Sequence, residues 1–227
     1  SALSMANLFE LATKEESAQK PDLVVIFGND DGNDATNFYY DEANDIWVGC
    51  ISDNPRIEYF GYLKKMCLTL HNLAQMKKGW LPIHGAFVNI YLKDGTKKGI
   101  MLMGDSGAGK SESIEALKAA AGDMIREVEV VFDDMGTIHL EDGVPYGQGT
   151  EIGAFIRLDD LDPGTPYRDM DRSIFMAPEN PNARMIQPAA PYRVVVHNHK
   201  IDLFAYANNY TNEFGLKKLT VQEVKDT

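Results

Sequence analysis

The sequence predicts an α/β domain with a mixed, strand-rich sheet, and three observations carry that prediction. An apolar run leads straight into a glycine-rich turn that opens a helix, strand-like segments outnumber helical ones, and the two do not alternate as in a doubly wound sheet.

Taken in order, residues 8–20 read as a short polar helix. Asp22–Phe27 is an apolar run bounded by the turn-rich Gly28-Asn-Asp-Asp-Gly32, which predicts a buried strand, and Ile46–Ile51 predicts a second. Between Glu58 and Lys78 the residues Phe60, Leu63, Cys67, Leu70 and Ala74 recur at alternating spacings of three and four, which predicts an amphipathic helix stopped by Gly79. His84–Tyr91 alternates, Lys93-Asp-Gly-Thr96 turns, and Gly99–Met103 is apolar, together a hairpin whose second strand enters the glycine turn. A helix follows from Ser111 to about Ala121. Val128–Phe132, Gly136–Leu140, Ile152–Leu158, Ser173–Met176 and Arg193–Tyr206 read as strands, punctuated by Glu141-Asp-Gly143 and the proline-rich stretch 178–191. The expected organisation is an N-terminal strand/helix segment (1–56), a catalytic domain built on the glycine turn (57–215) and a C-terminal tail (216–227).

The chain has 227 residues with 44% hydrophobic content, enough for a packed core. It carries 22 Lys and Arg against 34 Asp and Glu, a formal charge of −12, which repels a polyanionic duplex and argues against nucleic-acid binding. No apolar run is long enough to suggest membrane insertion, and Ser1–Met5 lacks a basic n-region. Cys50 and Cys67 are not in a CxxC spacing, so neither a disulfide framework nor a cysteine-built zinc site is expected; a reducing cytoplasm fits.

The motif that carries chemistry is Gly104-Asp105-Ser106-Gly107-Ala108-Gly109-Lys110-Ser111, followed by Glu112. It satisfies the P-loop pattern Gly-x-x-x-x-Gly-Lys-Ser. Glycines let successive backbone N–H groups curl around phosphate oxygens, and the helix start adds its positive end. Lys110 is expected to neutralise the β- and γ-phosphates of ATP, and the Ser111 hydroxyl to ligate Mg²⁺. The second signal is Val130-Val-Phe-Asp133-Asp134, paired acids at a strand end, where a P-loop protein commonly keeps the carboxylate that holds its metal. Neighbouring strand residues face opposite ways, so one acid is expected to bind metal while the other holds a metal-bound water or accepts a proton.

Ahead of the P-loop, Glu58-Tyr59-Phe60-Gly61-Tyr62-Leu63-Lys64-Lys65 and Leu81-Pro82-Ile83-His84, in that order, resemble the ATP-dependent phosphoenolpyruvate carboxykinases. Asn182-Ala-Arg184 is similar to that family's Asn-Thr-Arg. The resemblance covers roughly residues 57–195 and implies a carboxykinase-like P-loop fold turning oxaloacetate and ATP into phosphoenolpyruvate, ADP and CO₂. It implies that Lys65, His84 and Asp134 bind a transition metal such as Mn²⁺, and that Mg²⁺–ATP sits on Lys110 and Ser111 with Asp133 nearby. It further implies that Arg184 steadies the transferred phosphoryl group and that Tyr59 lies at the organic substrate or CO₂ site, with Lys64 and Arg193 as further candidates for the small anionic substrate.

A second resemblance competes. Ile83–Tyr91 and Gly104-Asp-Ser-Gly-x-Gly-Lys-Ser-Glu112 are very similar to HPr kinase/phosphorylase, which acts on a serine of a small carrier protein. That likeness implies Glu151 as a magnesium carboxylate, Asp133 as general base and Pro188-x-x-Pro191-Tyr-Arg193 as the counterpart of its Pro-x-x-Pro-Gly-Arg. A nucleotide-binding module without turnover is the third reading. His197-Asn-His199 has the spacing of a metal pair, but two solvated histidines account for it more simply, and Asp159–Asp162 reads as a solvated turn.

Overall fold

The computed structural model describes residues 2–57, 59–104, 108–119, 122, 124–157, 184–208 and 215–226. The chain is an α/β protein with a strand-rich mixed sheet, as the sequence predicts. Among the described residues, strands β1 (Leu23–Asn29), β2 (Thr36–Asp41) and β3 (Ile46–Ser52) form one sheet in the order β1-β3-β2. The main sheet has six strands in the order β10-β7-β6-β4-β5-β11, made from β4 (Leu81–Leu92), β5 (Lys97–Met103), β6 (Ile125–Glu141), β7 (Val144–Gly149), β10 (His199–Lys200) and β11 (Leu203–Tyr206). Its pairings are antiparallel except β5 with β11, which is parallel. A smaller antiparallel pair joins β8 (Gly153–Arg157) to β9 (Arg184–Pro188).

The helix predicted from Glu58 to Lys78 is α2 (Phe60–Lys77). Its apolar side, with Met66 and Leu70, covers Ile51 and Ile57, and Trp47 and Val25 join that cluster from the first sheet. Gly49 lets the helix approach, because a β-carbon there would collide with the Met66 side chain. Helix α3 (Lys110–Ala119) lies on the main sheet, where Ile114 packs with Ala86, Val88 and Ile90 of β4. The opposite face buries Ile83, Phe87, Met101, Val131 and Phe132. Phe87 and Phe132 are essentially inaccessible, and burying each contributes about 2 kcal/mol or more.

Several local expectations differ from what forms. Residues 8–20 are not one helix: α1 spans Ala2–Leu8, and a single 3-10 turn spans Glu16–Ala18. Thr13 and Glu16 cap each other reciprocally, Thr13 N to Glu16 Oε2 at 2.8 Å and Glu16 N to Thr13 Oγ1 at 3.2 Å, but Leu11 stays exposed and no apolar stripe extends the turn. The two strands expected at 128–132 and 136–140 are one strand, β6, running through the acid pair. The long strand expected at 193–206 is instead helix α4 (Tyr192–Val195), capped by Pro191, followed by the short β10 and β11. β2 and β7 carry no strong sequence signal. Ser173–Met176, Asp159–Asp162 and the first two residues of Asn182-Ala-Arg184 lie outside the described residues.

Candidate functional site

Strand β5 ends at Met103, and α3 begins at Lys110, so the P-loop motif occupies the strand-to-helix junction its mechanism requires. Of the motif, Gly104, Ala108, Gly109 and Lys110 are described; Asp105, Ser106 and Gly107 lie outside the described residues, as do the side chains of Ser111 and Glu112. Gly109 has φ of 85°, a conformation that favours glycine and turns the chain into the helix. Lys110 is 7% exposed, and its ammonium donates to the Gly104 carbonyl at 2.8 Å, tying the helix start to the first residue of the turn. Ser113 reinforces the junction, its backbone N–H and hydroxyl both donating to the Gly109 carbonyl.

The acid pair lies close to this junction. Gly85 of β4 pairs with Met103 on one side and Asp134 on the other, so Asp134, Gly85 and the last residue before the loop share one row across the sheet. Two strand spacings separate the ends of that row, roughly 10 Å. Asp133 is in register with Ala86, which pairs with Leu102 and packs under α3. Strand alternation therefore assigns half-buried Asp133 to the α3 face. Asp134 has φ of 136°, a backbone state costly for a residue with a side chain, and such strain clusters at functional sites.

Around Asp134 the structure gathers a compact charged group. Lys64 of α2, only 7% exposed at its side chain, donates to Asp134 Oδ2 at 3.0 Å and lies 3.2 Å from Glu151 Oε1. Its ammonium also lies 5.2 Å from the Phe155 ring centroid. His84 Nε2 is 3.1 Å from Asp134 Oδ1. Glu151 is held from both sides, since Thr150 N donates to Met135 O and Ile152 N donates to Leu8 O. The Lys64 contact has ion-pair distance but not hydrogen-bond geometry, and both Glu151 carboxylate oxygens are buried without a hydrogen-bond partner.

Burial pushes the Glu151 carboxyl up to about 7; Lys64 opposes that rise and the Asp134 charge adds to it. The folded protein thus holds this proton more tightly than the unfolded chain. Its contribution to stability is full below the ordinary carboxylate value of 4.5 and is lost as pH rises to about 7, a change of about 3 kcal/mol. Glu151→Gln is expected to flatten that part of the stability–pH profile in urea titrations run from pH 4 to 8. An unaltered slope would show that Glu151 does not carry it.

Lys65 does not join the group: one residue on from Lys64 it is turned by about 100° around the helix, and it is exposed with its ammonium 5.4 Å from the Tyr62 ring centroid. Tyr59 caps the start of α2, its ring edge-on to Tyr62 at 5.1 Å. Arg184 begins β9 opposite Arg157, with its side chain outside the described set, and Arg193 is exposed on α4. Glu151 and Lys64 emerge as the most buried charges of the site. The sequence marks both as candidates but gives no sign that they touch.

The donor chemistry bears on the implied metals. Asp133 on the α3 face is a hard oxygen donor suited to Mg²⁺. His84 and Asp134 offer the imidazole and carboxylate that suit Mn²⁺, but Lys65 is not beside them, and the charged neighbour is the Lys64 ammonium. Among the described residues, no three His, Cys, Asp or Glu side chains converge as a metal-holding group. Nor is any helix among them long and apolar enough to cross a membrane. Compared with known protein families and with curated proteins, the chain matches none.

Proposed function

We propose that this protein transfers the γ-phosphoryl group of Mg²⁺–ATP to an oxygen acceptor, in the manner of the carboxykinase-like P-loop proteins. The observation that carries the reading is the strand–turn–helix junction at Gly104–Lys110 with an acid pair in register beside it. In this reading the amides at the start of α3 and the Lys110 ammonium bind the triphosphate, and Asp133 with Ser111 would hold Mg²⁺. The metal, when bound, neutralises charge on the β- and γ-oxygens. The chain's own contribution is electrostatic and positional: Lys110 faces the developing charge, and Arg184 steadies the group in flight.

The acceptor most in keeping with the Tyr59–Lys65 and Leu81–His84 motifs is oxaloacetate, giving phosphoenolpyruvate and CO₂. The buried Glu151 beside Asp134 favours the second reading, a kinase-like transfer to a carrier protein's serine with Asp133 as base. Incubation with ATP, Mg²⁺, Mn²⁺ and oxaloacetate separates them: phosphoenolpyruvate and ADP in equal amounts support the first. Phosphoserine on a partner protein supports the second, and ATP bound without turnover reduces the protein to a nucleotide-binding module. Mn²⁺ belongs to this proposal at His84 and Asp134. His84→Ala is expected to raise the Mn²⁺ concentration for half-activation by about tenfold, and an unmoved activation curve would remove His84 from the metal's ligands.

A further inference from the structure

Asp134 serves two neighbours at once. Its Oδ2 accepts from the Lys64 ammonium at 3.0 Å, and its Oδ1 lies 3.1 Å from His84 Nε2. The two sides differ in freedom. The Lys64 side chain is buried on the 18-residue helix α2, and its ammonium also stands 3.2 Å from Glu151 Oε1 and 5.2 Å from the Phe155 ring centroid. The His84 side is open, with 47% of that side chain and 37% of the Asp134 side chain exposed. A cation arriving from solvent thus finds its open approach to Asp134 beside His84, and there it meets a fixed ammonium on the far oxygen of the same carboxylate.

A carboxylate's charge is shared by its two oxygens, so an ammonium on one reduces what the other offers a metal. The two positive charges also repel each other across a short, partly buried path that water screens poorly. Among the described residues no group of three His, Cys, Asp or Glu side chains forms to offset that repulsion, and Glu151 stands against the ammonium itself. We propose that Lys64 is an internal rival of the metal: it occupies Asp134 in the metal-free protein and sets how weakly the His84–Asp134 site holds Mn²⁺. This inference rests on the Mn²⁺ site of the proposed function and adds the residue that tunes it. Coupling of this kind is reciprocal, so bound Mn²⁺ loosens the Lys64–Asp134 pair by the same factor by which Lys64 weakens the metal.

Mn²⁺ titrations of the nucleotide-free protein, followed by the electron paramagnetic resonance of the free ion, read the rivalry without turnover. Lys64→Met and Lys64→Gln, which remove the charge, are expected to tighten Mn²⁺ binding by about tenfold, whereas Lys64→Arg, which keeps it, should not tighten it. A second arm uses the wild type alone and holds even if the charge-removing variants do not fold. Saturating Mn²⁺ is expected to speed acylation of Lys64 severalfold, read by mass spectrometry, and to leave exposed Lys65 unchanged. Mn²⁺ binding that is unchanged or weaker in folded Lys64→Met, or Lys64 acylation indifferent to Mn²⁺, would overturn the rivalry; if His84→Ala still weakens Mn²⁺ binding, the metal site itself stands. A wild type that binds no Mn²⁺, or binding that His84→Ala leaves untouched, would overturn the metal assignment and this inference with it.

Discussion

Lys110→Ala is expected to lower kcat for phosphoryl transfer by at least about a thousandfold, with the protein still folded. Lys110 is a buried ammonium fixed at the start of α3 by its bond to Gly104, where the proposed reading puts the triphosphate's negative charge. Alanine deletes that charge, and no other cation described at the start of α3 stands in for it. The two cores on the faces of the main sheet, around Phe87 and around Val88, do not include Lys110, so cooperative melting should persist. Single-turnover assays with labelled ATP read the effect directly. Turnover within tenfold of the wild type would move the phosphate site elsewhere.

Lys64→Met carries the largest expected effect on stability. Methionine keeps much of the stem's volume but leaves Asp134 and buried Glu151 facing each other without their cation. Removing one member of a buried charged group costs on the order of 3 kcal/mol, and Asp134, being partly exposed, holds the cost toward the lower end. Protonation of Glu151 relieves the repulsion, so the loss should be larger at pH 8 than at pH 5. Lys65→Met, one residue along but exposed, is expected to change stability by less than about 0.5 kcal/mol. Urea unfolding of the two variants at both pH values decides the matter, and equal losses for Lys64 and Lys65 would contradict the buried group described here.

The contrast between these two lysines shows where the sequence is informative and where it is not. Helical periodicity marks α2 clearly, yet Lys64 and Lys65 are adjacent and flank its apolar stripe. Which one turns inward depends on partners at positions 134 and 151, supplied by other elements. The P-loop junction is legible because its signal is local: an apolar strand, glycines at fixed offsets and a helix follow one another in the chain. The acid pair is harder to place. Asp133-Asp134 reads as the end of a strand because acids favour turns, but the chain continues through Asp134 in a strained conformation with β4 pairing on both sides of it. The proline-rich approach to α4 defeats the reading of 193–206, since Val194, Val195 and Val196 look strand-like while Pro191 starts a helical turn. The adjacency of β11 and β5 is invisible in sequence, because a parallel pairing joins segments about a hundred residues apart and leaves no mark on either.

In the proposed function a triphosphate lies on the backbone amides at the start of α3, with its cation shared by the acids of β6. A crystal structure of the protein soaked with Mg²⁺ and a non-hydrolysable ATP analogue tests it most directly. Phosphate oxygens are expected within hydrogen-bond distance of the Lys110 ammonium, with an Mg²⁺ about 2.1 Å from an oxygen of Asp133 or of a water it holds. Nucleotide density at any other surface, with the ammonium of Lys110 still on the Gly104 carbonyl and no cation beside β6, would contradict it.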